Sequence, residues 1–275
     1  MQLTKMHGLG NDFLIYNPRQ QDEDMNELAK QVCARRLGAG ADGLMVVLPS
    51  DKCDIRMRII NSDGSEAEMC GNGIRCFAKY VYEKGIVKNE EMTVETLAGT
   101  IRPKLIIENE QVAMVAVDMG KPILQPKQIP IITDEDIVLN KPIMVNGETY
   151  HIACANTGVP HTMVFVDKID EAVVETIGPI IEKLDMFPKN TNVNFVEVID
   201  KDNIAVSTWE RGAGKTLACG TGCCAAGVVC YLNGYTNRKV SVKLTTGVLD
   251  VEYKQDETVM MTGPATTVYE GVYFL

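Results

Sequence analysis

Two cysteines stand in the same short pattern, one in each half of the chain. Cys70 begins the string Cys-Gly-Asn-Gly, and Cys219 begins Cys-Gly-Thr-Gly 149 residues later. An apolar run at helical spacing follows each string, and a glycine closes each run, as at the end of a helix. Each cysteine is therefore predicted to lie at a helix N-terminus. There the unpaired N–H groups and the helix dipole favour thiolate over thiol, which indicates acid–base chemistry by two thiols.

The correspondence at an offset of 149 residues extends well beyond the cysteines. Residues 55–59 fall on 204–208, and Asp12 to Ile15 falls on His161 to Val164. With one residue dropped, 93–99 falls on 241–247. The pattern predicts an internal duplication of about half the chain. A pseudo-two-fold axis between the copies would place the two cysteines on opposite sides of one cleft.

Apolar spacing predicts helices in each half and strands between them. Met25 begins a helical pattern that Gly38 is expected to stop. Residues 169–184 carry another, which Pro179 is expected to split into two helices. The run after Cys219 is apolar on almost every side, so a sheet wrapped around a central helix would suit it. The fold class is therefore α/β (α+β).

Two segments lie outside the repeat. Residues 118–142 contain four prolines, which is typical of an extended connection between the two units. Residues 266–275 are strand-like and are expected to cross back to the first unit.

Composition sets the class of protein and excludes several partners. The chain has 275 residues, of which 45% are hydrophobic and 23% charged, as expected for a globular protein of about two domains. A net charge of −10 without a basic cluster argues against nucleic acid and leaves a small-molecule substrate. No apolar stretch approaches the roughly 18 residues of a membrane span, and the start lacks a signal-peptide core. We expect no membrane association and a cytoplasmic location.

The remaining cysteines and the histidines do not indicate a metal or a disulfide framework. Nine cysteines are an odd number, and none form a Cys-x-x-Cys pair. His7, His151 and His161 form no cluster in the sequence, so no metal site is predicted. Seven cysteines are interpreted as small buried apolar residues: Cys33, Cys53, Cys76, Cys154, Cys223, Cys224 and Cys230.

Three groups of strings resemble the diaminopimelate epimerase family over nearly the whole chain. They are Gly-Leu-Gly-Asn-Asp-Phe from Gly8; Asn-Ser-Asp-Gly-Ser-Glu from Asn61 with Met-Cys-Gly-Asn-Gly from Met69; and Trp-Glu-Arg-Gly-Ala-Gly from Trp209 with Ala-Cys-Gly-Thr-Gly from Ala218. The resemblance implies two similar domains, each a β-barrel-like sheet around a central helix. We place them at residues 1–117 with 264–275 and at residues 118–263.

The resemblance also implies an isomerase that needs no cofactor. It would interconvert LL- and meso-2,6-diaminopimelate for lysine and peptidoglycan synthesis, with Cys70 and Cys219 as catalytic residues. Inverting an α-carbon without a cofactor requires one group to remove a proton from one face and another to deliver a proton to the opposite face. A duplicated thiol supplies both groups. A homodimer is also expected.

The expected site combines helix starts with a distal recognition set. Backbone N–H groups at the two helix starts suit the reacting carboxylate, and the Arg211 fork suits the distal one. His161 and Glu210 are implied to influence thiol ionisation. The full substrate-binding set is Asn11, Asn61, Gly71, Asn72, Asn192, Glu210, Arg211, Gly220 and Thr221. Gly43 and Val159 stand where many members have Gln and Asn, and Asn156 is the candidate to replace the second.

Other functions remain open from the residues alone. A racemase of another amino acid would use the same two cysteines but would not need the distal set. A thiol redox protein usually carries both cysteines in one Cys-x-x-Cys turn. A non-catalytic binding domain would give no reason for a matched cysteine in both halves.

Overall fold

The computed structural model describes residues 1–18 and 24–274, and these residues form four α-helices and nineteen strands. The helices are α1 (Met25–Cys33), α2 (Gly71–Glu83), α3 (Glu171–Glu182) and α4 (Gly220–Leu232). The first strands are β1 (Gln2–Gly8), β2 (Asn11–Tyr16), β3 (Gly43–Leu48), β4 (Ile55–Asn61), β5 (Glu66–Ala67), β6 (Val94–Thr96), β7 (Gly99–Ile101), β8 (Lys104–Glu108) and β9 (Gln111–Asp118). The others are β10 (Lys141–Val145), β11 (Glu148–Asn156), β12 (Pro160–Val166), β13 (Asn192–Val198), β14 (Asn203–Glu210), β15 (Gly214–Thr216), β16 (Lys239–Leu244), β17 (Gly247–Tyr253), β18 (Val259–Gly263) and β19 (Thr266–Val272).

The chain divides into two compact units. Unit 1 comprises Met1–Val117 and Thr262–Leu275, and unit 2 comprises Asp118–Met261. The return to unit 1 comes two residues before the position placed from the sequence. β19 pairs antiparallel with β1, so the end of the chain belongs to the sheet of unit 1. Leu275, which the strand prediction included, lies outside the described residues.

Both units have the same sheet order. In unit 1 the order is β1-β2-β3-β4-β6-β7, and in unit 2 it is β11-β12-β13-β14-β16-β17. Successive pairs alternate antiparallel and parallel in the same sequence in both units. The helices α2 and α4 begin and end 149 residues apart. The duplication read from the sequence is therefore present in the backbone.

The sheet of each unit packs on the helix that follows its cysteine. In α2 most residues through Val81 are buried, and in α4 Gly220 and all residues from Gly222 to Cys230 are buried. α4 contacts six strands of unit 2, from β11 to β17. A helix that is apolar on all sides has no solvated face, so it needs this enclosure.

Two helix boundaries differ from the sequence-based expectation. α1 ends at Cys33, five residues before Gly38, because Ala34 leaves the helical conformation with ψ of 118°. Gly38 instead folds back over the last turn, where a Cβ would lie only 2.6 Å from the Val32 carbonyl oxygen. The glycine is needed for this close approach, and it does not end the helix.

α3 is continuous through Pro179, so the expected split is wrong. Val174, Ile177 and Ile181 form one buried face across the proline. Gly178 lies under the Trp209 side chain, because a Cβ there would be 2.8 Å from Trp209 Cβ. Packing of this face offsets the hydrogen bond that proline cannot make. Among the described residues no helix combines the length and the apolar character that a membrane span requires.

Candidate active site

Both cysteines occupy the N-cap of a long buried helix. Cys70 has φ −139° and ψ 120°, and Cys219 has φ −115° and ψ 101°, which is the extended conformation of an N-cap residue. Their carbonyls accept the first helical hydrogen bonds, from Ile74 N at 2.8 Å and from Cys223 N at 3.0 Å. The Gly-x-Gly string brings the chain into the helix in both units, as predicted.

In unit 1 the Cys70 thiol lies against two asparagines. The thiol donates to Asn11 Oδ1 at 3.6 Å and accepts from Gly73 N at 3.4 Å. Asn72 Nδ2 also donates to Asn11 Oδ1, at 3.3 Å. The structure thus groups three residues that the sequence assigned to the site, and Cys70 remains partly exposed.

A charged cluster holds Asn11 from its other side. Asn11 Nδ2 donates to Asp42 Oδ2 at 2.8 Å, and Arg35 bridges Asp42 and Asp12 with contacts of 2.6 and 2.7 Å. Lys5 lies 2.9 Å from Asp12. Burial by itself would raise the pKa of Asp12, but the hydrogen bonds from Arg35 and Lys5 outweigh it and lower the pKa to about 2. Asp12 is therefore charged at neutral pH.

In unit 2 the Cys219 thiol lies against a hydroxyl and, through it, an imidazole. Cys219 Sγ is 3.4 Å from Thr221 Oγ1, which is 3.0 Å from His161 Nε2. His161 is fully buried on β12. Thr221 and His161 are thus connected to Cys219, as the resemblance implied for the histidine.

Burial raises the pKa of the Cys219 thiol well above its usual value, and the nearby Glu210 charge raises it further. The Thr221 hydroxyl and the Gly222 N–H lower the pKa by less than these effects raise it. The expectation that the helix N-terminus gives this cysteine a low pKa is therefore wrong. Desolvation of the charged form dominates, so Cys219 is a protonated thiol at neutral pH.

His161 is neutral. Burial, with a smaller effect from the Arg211 charge, lowers the pKa of His161 to about 3. The ring therefore acts in this site as a hydrogen-bond donor at one nitrogen and an acceptor at the other.

The recognition residues of unit 2 form one loop-anchored group. Asn192 is 5% exposed; its Oδ1 accepts from Arg211 N at 2.8 Å and its Nδ2 donates to Pro160 O at 2.9 Å. Arg211 donates through one guanidinium nitrogen to Lys189 O at 2.8 Å. Glu210 Oε1 accepts from Thr216 Oγ1 at 2.5 Å.

Asn61 is not joined to Cys70 by any contact that the described residues display. It is exposed at the end of β4, where its Nδ2 donates to Ser65 Oγ at 2.9 Å within the same loop. Gly71 and Asn72 begin α2, and Gly220 and Thr221 begin α4, so their backbone N–H groups belong to the first helical turns.

The departures from the family pattern have local causes. A Cβ at Gly43 would lie 2.8 Å from the Ile60 carbonyl oxygen, so the approach of β4 excludes a side chain there. Asn156 Oδ1 accepts from Gly158 N at 2.9 Å and so shapes the turn that precedes β12. This turn role occupies the amide oxygen of the residue that was considered as a replacement contact.

Sequence reasoning missed Asn194, Thr208 and Asp42. Asn194 and Thr208 are buried and hydrogen-bonded to each other at 3.0 Å, next to His161. Alternation along β13 places Asn194 on the same face as Asn192, and this was the available signal. Within residues 1–18 and 24–274, no three histidine, cysteine, aspartate or glutamate side chains are grouped as metal ligands.

The fold is that of a class of duplicated α/β proteins known from solved structures. A phenazine biosynthesis protein of the PhzF family from Bacillus anthracis matches with a TM-score of 0.73 at 17% identity, with 100% of both chains covered. A probable proline racemase from Agrobacterium radiobacter, solved with bound carbonate, matches with a TM-score of 0.71 at 17% identity, covering 100% of this chain and 93% of the other. These likenesses define the fold.

Sequence comparison gives the family. The diaminopimelate epimerase family model matches residues 3–125 and 153–268. The diaminopimelate epimerase of Moorella thermoacetica is 52% identical over 274 residues, 98% of each chain. That of Methanococcus maripaludis is 48% identical over 273 residues, 98% of this chain and 99% of the relative. The chain belongs to the diaminopimelate epimerase family.

Proposed function

We propose that this protein interconverts LL- and meso-2,6-diaminopimelate, without a cofactor, as a step of lysine and peptidoglycan precursor synthesis. The observation that carries the proposal is the matched N-cap cysteine in both units of a chain from this family. Relatives of about 50% identity carry the name diaminopimelate epimerase over nearly the full chain.

The proposed reaction uses Cys70 and Cys219 as a base and an acid. One thiolate removes the α-proton from one face of the substrate, and the other thiol delivers a proton to the opposite face. The roles exchange when the reaction runs backwards. The high pKa of Cys219 supports its role as the proton donor in the resting enzyme. In this scheme Cys70 is the base that acts first.

The helix starts supply the electrostatic stabilisation that the reaction needs. An α-proton is far less acidic than a thiol, so negative charge that develops on the substrate must be stabilised by fixed donors. Backbone N–H groups of Gly71 and Asn72 in α2, and of Gly220 and Thr221 in α4, are assigned to the reacting carboxylate.

The distal amino-carboxylate is assigned to the other polar residues. Arg211 retains guanidinium N–H groups beyond the one that donates to Lys189 O, and these can form a fork with a carboxylate. Glu210 is an acceptor for the distal ammonium. Asn192 holds the Arg211 backbone through its 2.8 Å hydrogen bond, which supports a role in placing this fork.

Incubation of the purified chain with LL-diaminopimelate in heavy water tests the proposal. Early meso product should carry deuterium at the inverted carbon while the remaining substrate stays protiated, because the donating thiol has exchanged its proton with solvent. The Cys70→Ala/Cys219→Ala double variant is the control and should label neither pool.

Two other outcomes would change the assignment. Equal early labelling of substrate and product would indicate a single base. Failure to convert diaminopimelate, together with inversion of lysine, glutamate or proline, would replace the substrate and make the protein a racemase of another amino acid.

We also propose that the enzyme is a homodimer. β19 is an edge strand in the sheet of unit 1, where Val268 and Val272 are 52% and 60% exposed. An apolar edge strand offers unpaired backbone groups to a second chain. Sedimentation should give a dimer mass, and Val272→Lys should shift the equilibrium toward monomer; a wild-type monomer mass would contradict the proposal.

A further inference from the structure

Asn194 is a fully buried amide whose orientation is fixed by its partners. Its Oδ1 accepts from Thr208 Oγ1 at 3.0 Å, and its Nδ2 donates to the Thr162 carbonyl oxygen at 3.3 Å. A main-chain carbonyl can only accept, so the nitrogen of the amide must face Thr162. The same nitrogen lies 3.1 Å from His161 Nδ1.

This orientation determines which ring nitrogen of His161 carries the proton. Because Asn194 Nδ2 is a donor, the neutral ring must accept at Nδ1 and carry its proton on Nε2. Nε2 then donates to Thr221 Oγ1, 3.0 Å away. With its lone pair occupied, the Thr221 hydroxyl has its own proton available for Cys219 Sγ at 3.4 Å.

The glycine of the second cysteine string makes room for this amide. A Cβ at Gly222 would overlap Asn194 Oδ1. Gly222 therefore allows the Asn194 side chain to lie directly behind the turn that carries Cys219. The string and the buried amide fit together as one arrangement.

The other copy of the repeat has no such amide. At an offset of 149 residues, Asn194 and Thr208 correspond to Met45 and Ile59. These two side chains surround Gly73 in unit 1, where Met45 Sδ and Ile59 Cδ1 lie 3.3 and 3.2 Å from the position of a Cβ. The same space thus holds an apolar pair in unit 1 and a hydrogen-bonded polar pair in unit 2.

We propose that Asn194 and Thr208 are positioning residues that hold His161 in the tautomer protonated on Nε2 and so direct the Thr221 hydroxyl proton toward Cys219 Sγ. The proposal rests on the proposed function in taking Cys219 as an acid–base group of the reaction. A hydroxyl that donates to sulfur stabilises the thiolate, so the arrangement assists each step in which Cys219 acts as the base.

The charged and titratable groups around this arrangement are few. Glu210 and Cys223 act on Cys219 and oppose its ionisation, and the Gly222 N–H favours it. Arg211 acts on His161 and, with burial, keeps it neutral. A neutral ring has one proton to place, so the choice of tautomer decides the direction of the hydrogen bonds.

Nitrogen-15 NMR of the full-length wild-type protein tests the tautomer directly. The chain has three histidines, and comparison with His161→Gln assigns the signals of interest. We expect Nε2 protonated and Nδ1 unprotonated throughout the neutral range. A proton on Nδ1, or an imidazolium, would overturn the proposal whether or not the protein is an epimerase.

Asn194→Met/Thr208→Ile places the apolar pair of unit 1 into unit 2 and tests the consequence. The variant should lose the single tautomer, and the acid limb of the kcat/KM profile should move up by about one pH unit, a roughly tenfold loss on that limb. Thr221→Val should cause a similar shift, and the triple variant should shift no further, since all act through one hydroxyl. Additive shifts would overturn the proposal.

Thr162→Val is the matched control. Its hydroxyl is buried in the same sheet but contacts Thr191 Oγ1 at 3.0 Å, outside the hydrogen-bonded series. A merely structural effect lowers kcat/KM evenly at all pH values, so the control should leave the position of the limb unchanged. A shift in the control equal to that in Thr221→Val would also overturn the proposal.

The two hypotheses fail separately. If the wild-type protein inverts no diaminopimelate, the proposed function fails, and the NMR spectra of wild type and Asn194→Met/Thr208→Ile still decide the positioning role. If turnover is normal and these variants keep the wild-type limb, the positioning role alone is wrong.

Discussion

Asp12 and His161 occupy the same position in the two copies of the repeat, yet their charges differ. Asp12 in unit 1 is held as a carboxylate by Lys5 and Arg35, which lower its pKa to about 2. His161 in unit 2 is held neutral by burial, which lowers its pKa to about 3. One backbone plan therefore supports a charged cluster in one unit and a neutral hydrogen-bonded series in the other.

The two cysteines differ in the same way. Cys70 is partly exposed and donates to an amide carbonyl oxygen, whereas Cys219 is 6% exposed and lies against a hydroxyl. Duplication preserved the helix start that carries each thiol. The side chains that surround it diverged, so the two thiols are unlike before substrate binds, which suits an acid and a base.

Removal of either thiol should have the largest effect. Cys70→Ala and Cys219→Ala should each lower kcat/KM by roughly 10²- to 10⁴-fold, the range for loss of a general acid or base. In heavy water each variant should still exchange the α-proton of one stereoisomer without inverting it, and the two variants should exchange opposite stereoisomers. Mass spectrometry of each isomer measures this.

Cys76→Ala and Cys230→Ala are controls for that experiment, because these thiols are fully buried within the helices. They should keep most of the activity. If one of the two N-cap variants inverts substrate normally, that cysteine is not a catalytic residue.

Arg211→Lys tests whether ionic recognition belongs to unit 2, where Arg211 corresponds to Ser62 of unit 1. Lysine keeps the charge but loses the planar fork, so kcat/KM should fall by roughly 1.5 to 3 kcal/mol, the scale of a charge-assisted hydrogen bond. Steady-state kinetics with LL-diaminopimelate measure the loss. Arg102→Lys, an exposed arginine of unit 1, is the control, and equal kinetics for wild type and Arg211→Lys would leave Arg211 outside the site.

Asp12→Asn tests the charged cluster of unit 1. Since the pKa of Asp12 lies below its unfolded value of 3.8, its ionisation contributes stability above that pH, and the contribution is lost as pH falls toward about 2. The substitution should cost about 2 kcal/mol at pH 7 and little at pH 2, by urea denaturation. Asp51→Asn, at an exposed site, should cost little at either pH.

The neutral histidine of unit 2 gives a different pH window for the same measurement. The unfolded chain takes up a proton on His161 below about 6.5, whereas the folded chain does so only near 3. Stability should therefore fall between these values, and His161→Gln should remove that part of the dependence. Identical pH dependence of wild type and His161→Gln would contradict a buried neutral ring.

Glu210→Gln should have the smallest effect on the comparison. The Glu210 charge raises the pKa of Cys219, so its removal should lower that pKa and move the acid limb of kcat/KM to lower pH by up to about one unit. This shift is opposite in sign to the one expected for Thr221→Val. A limb that moves upward would mean that Glu210 supports ionisation of Cys219.

Local patterns were enough to predict several features of the site. The glycines after each cysteine and the apolar run that follows placed Cys70 and Cys219 at helix starts, and the structure confirms both. The strand returning near Thr266 was also correct. The break expected at Pro179 was wrong because the buried face of α3 continues across it.

The sequence by itself determined the duplication, the helix starts and the pair of thiols, because hydrogen bonds and apolar spacing within a few residues specify them. Only the tertiary structure decided what each thiol contacts. Asn11 comes from a strand 59 residues before Cys70, and Asn194 comes from another strand to orient His161. Burial that raises the pKa of Cys219 is likewise a product of packing among distant residues, which no short pattern encodes.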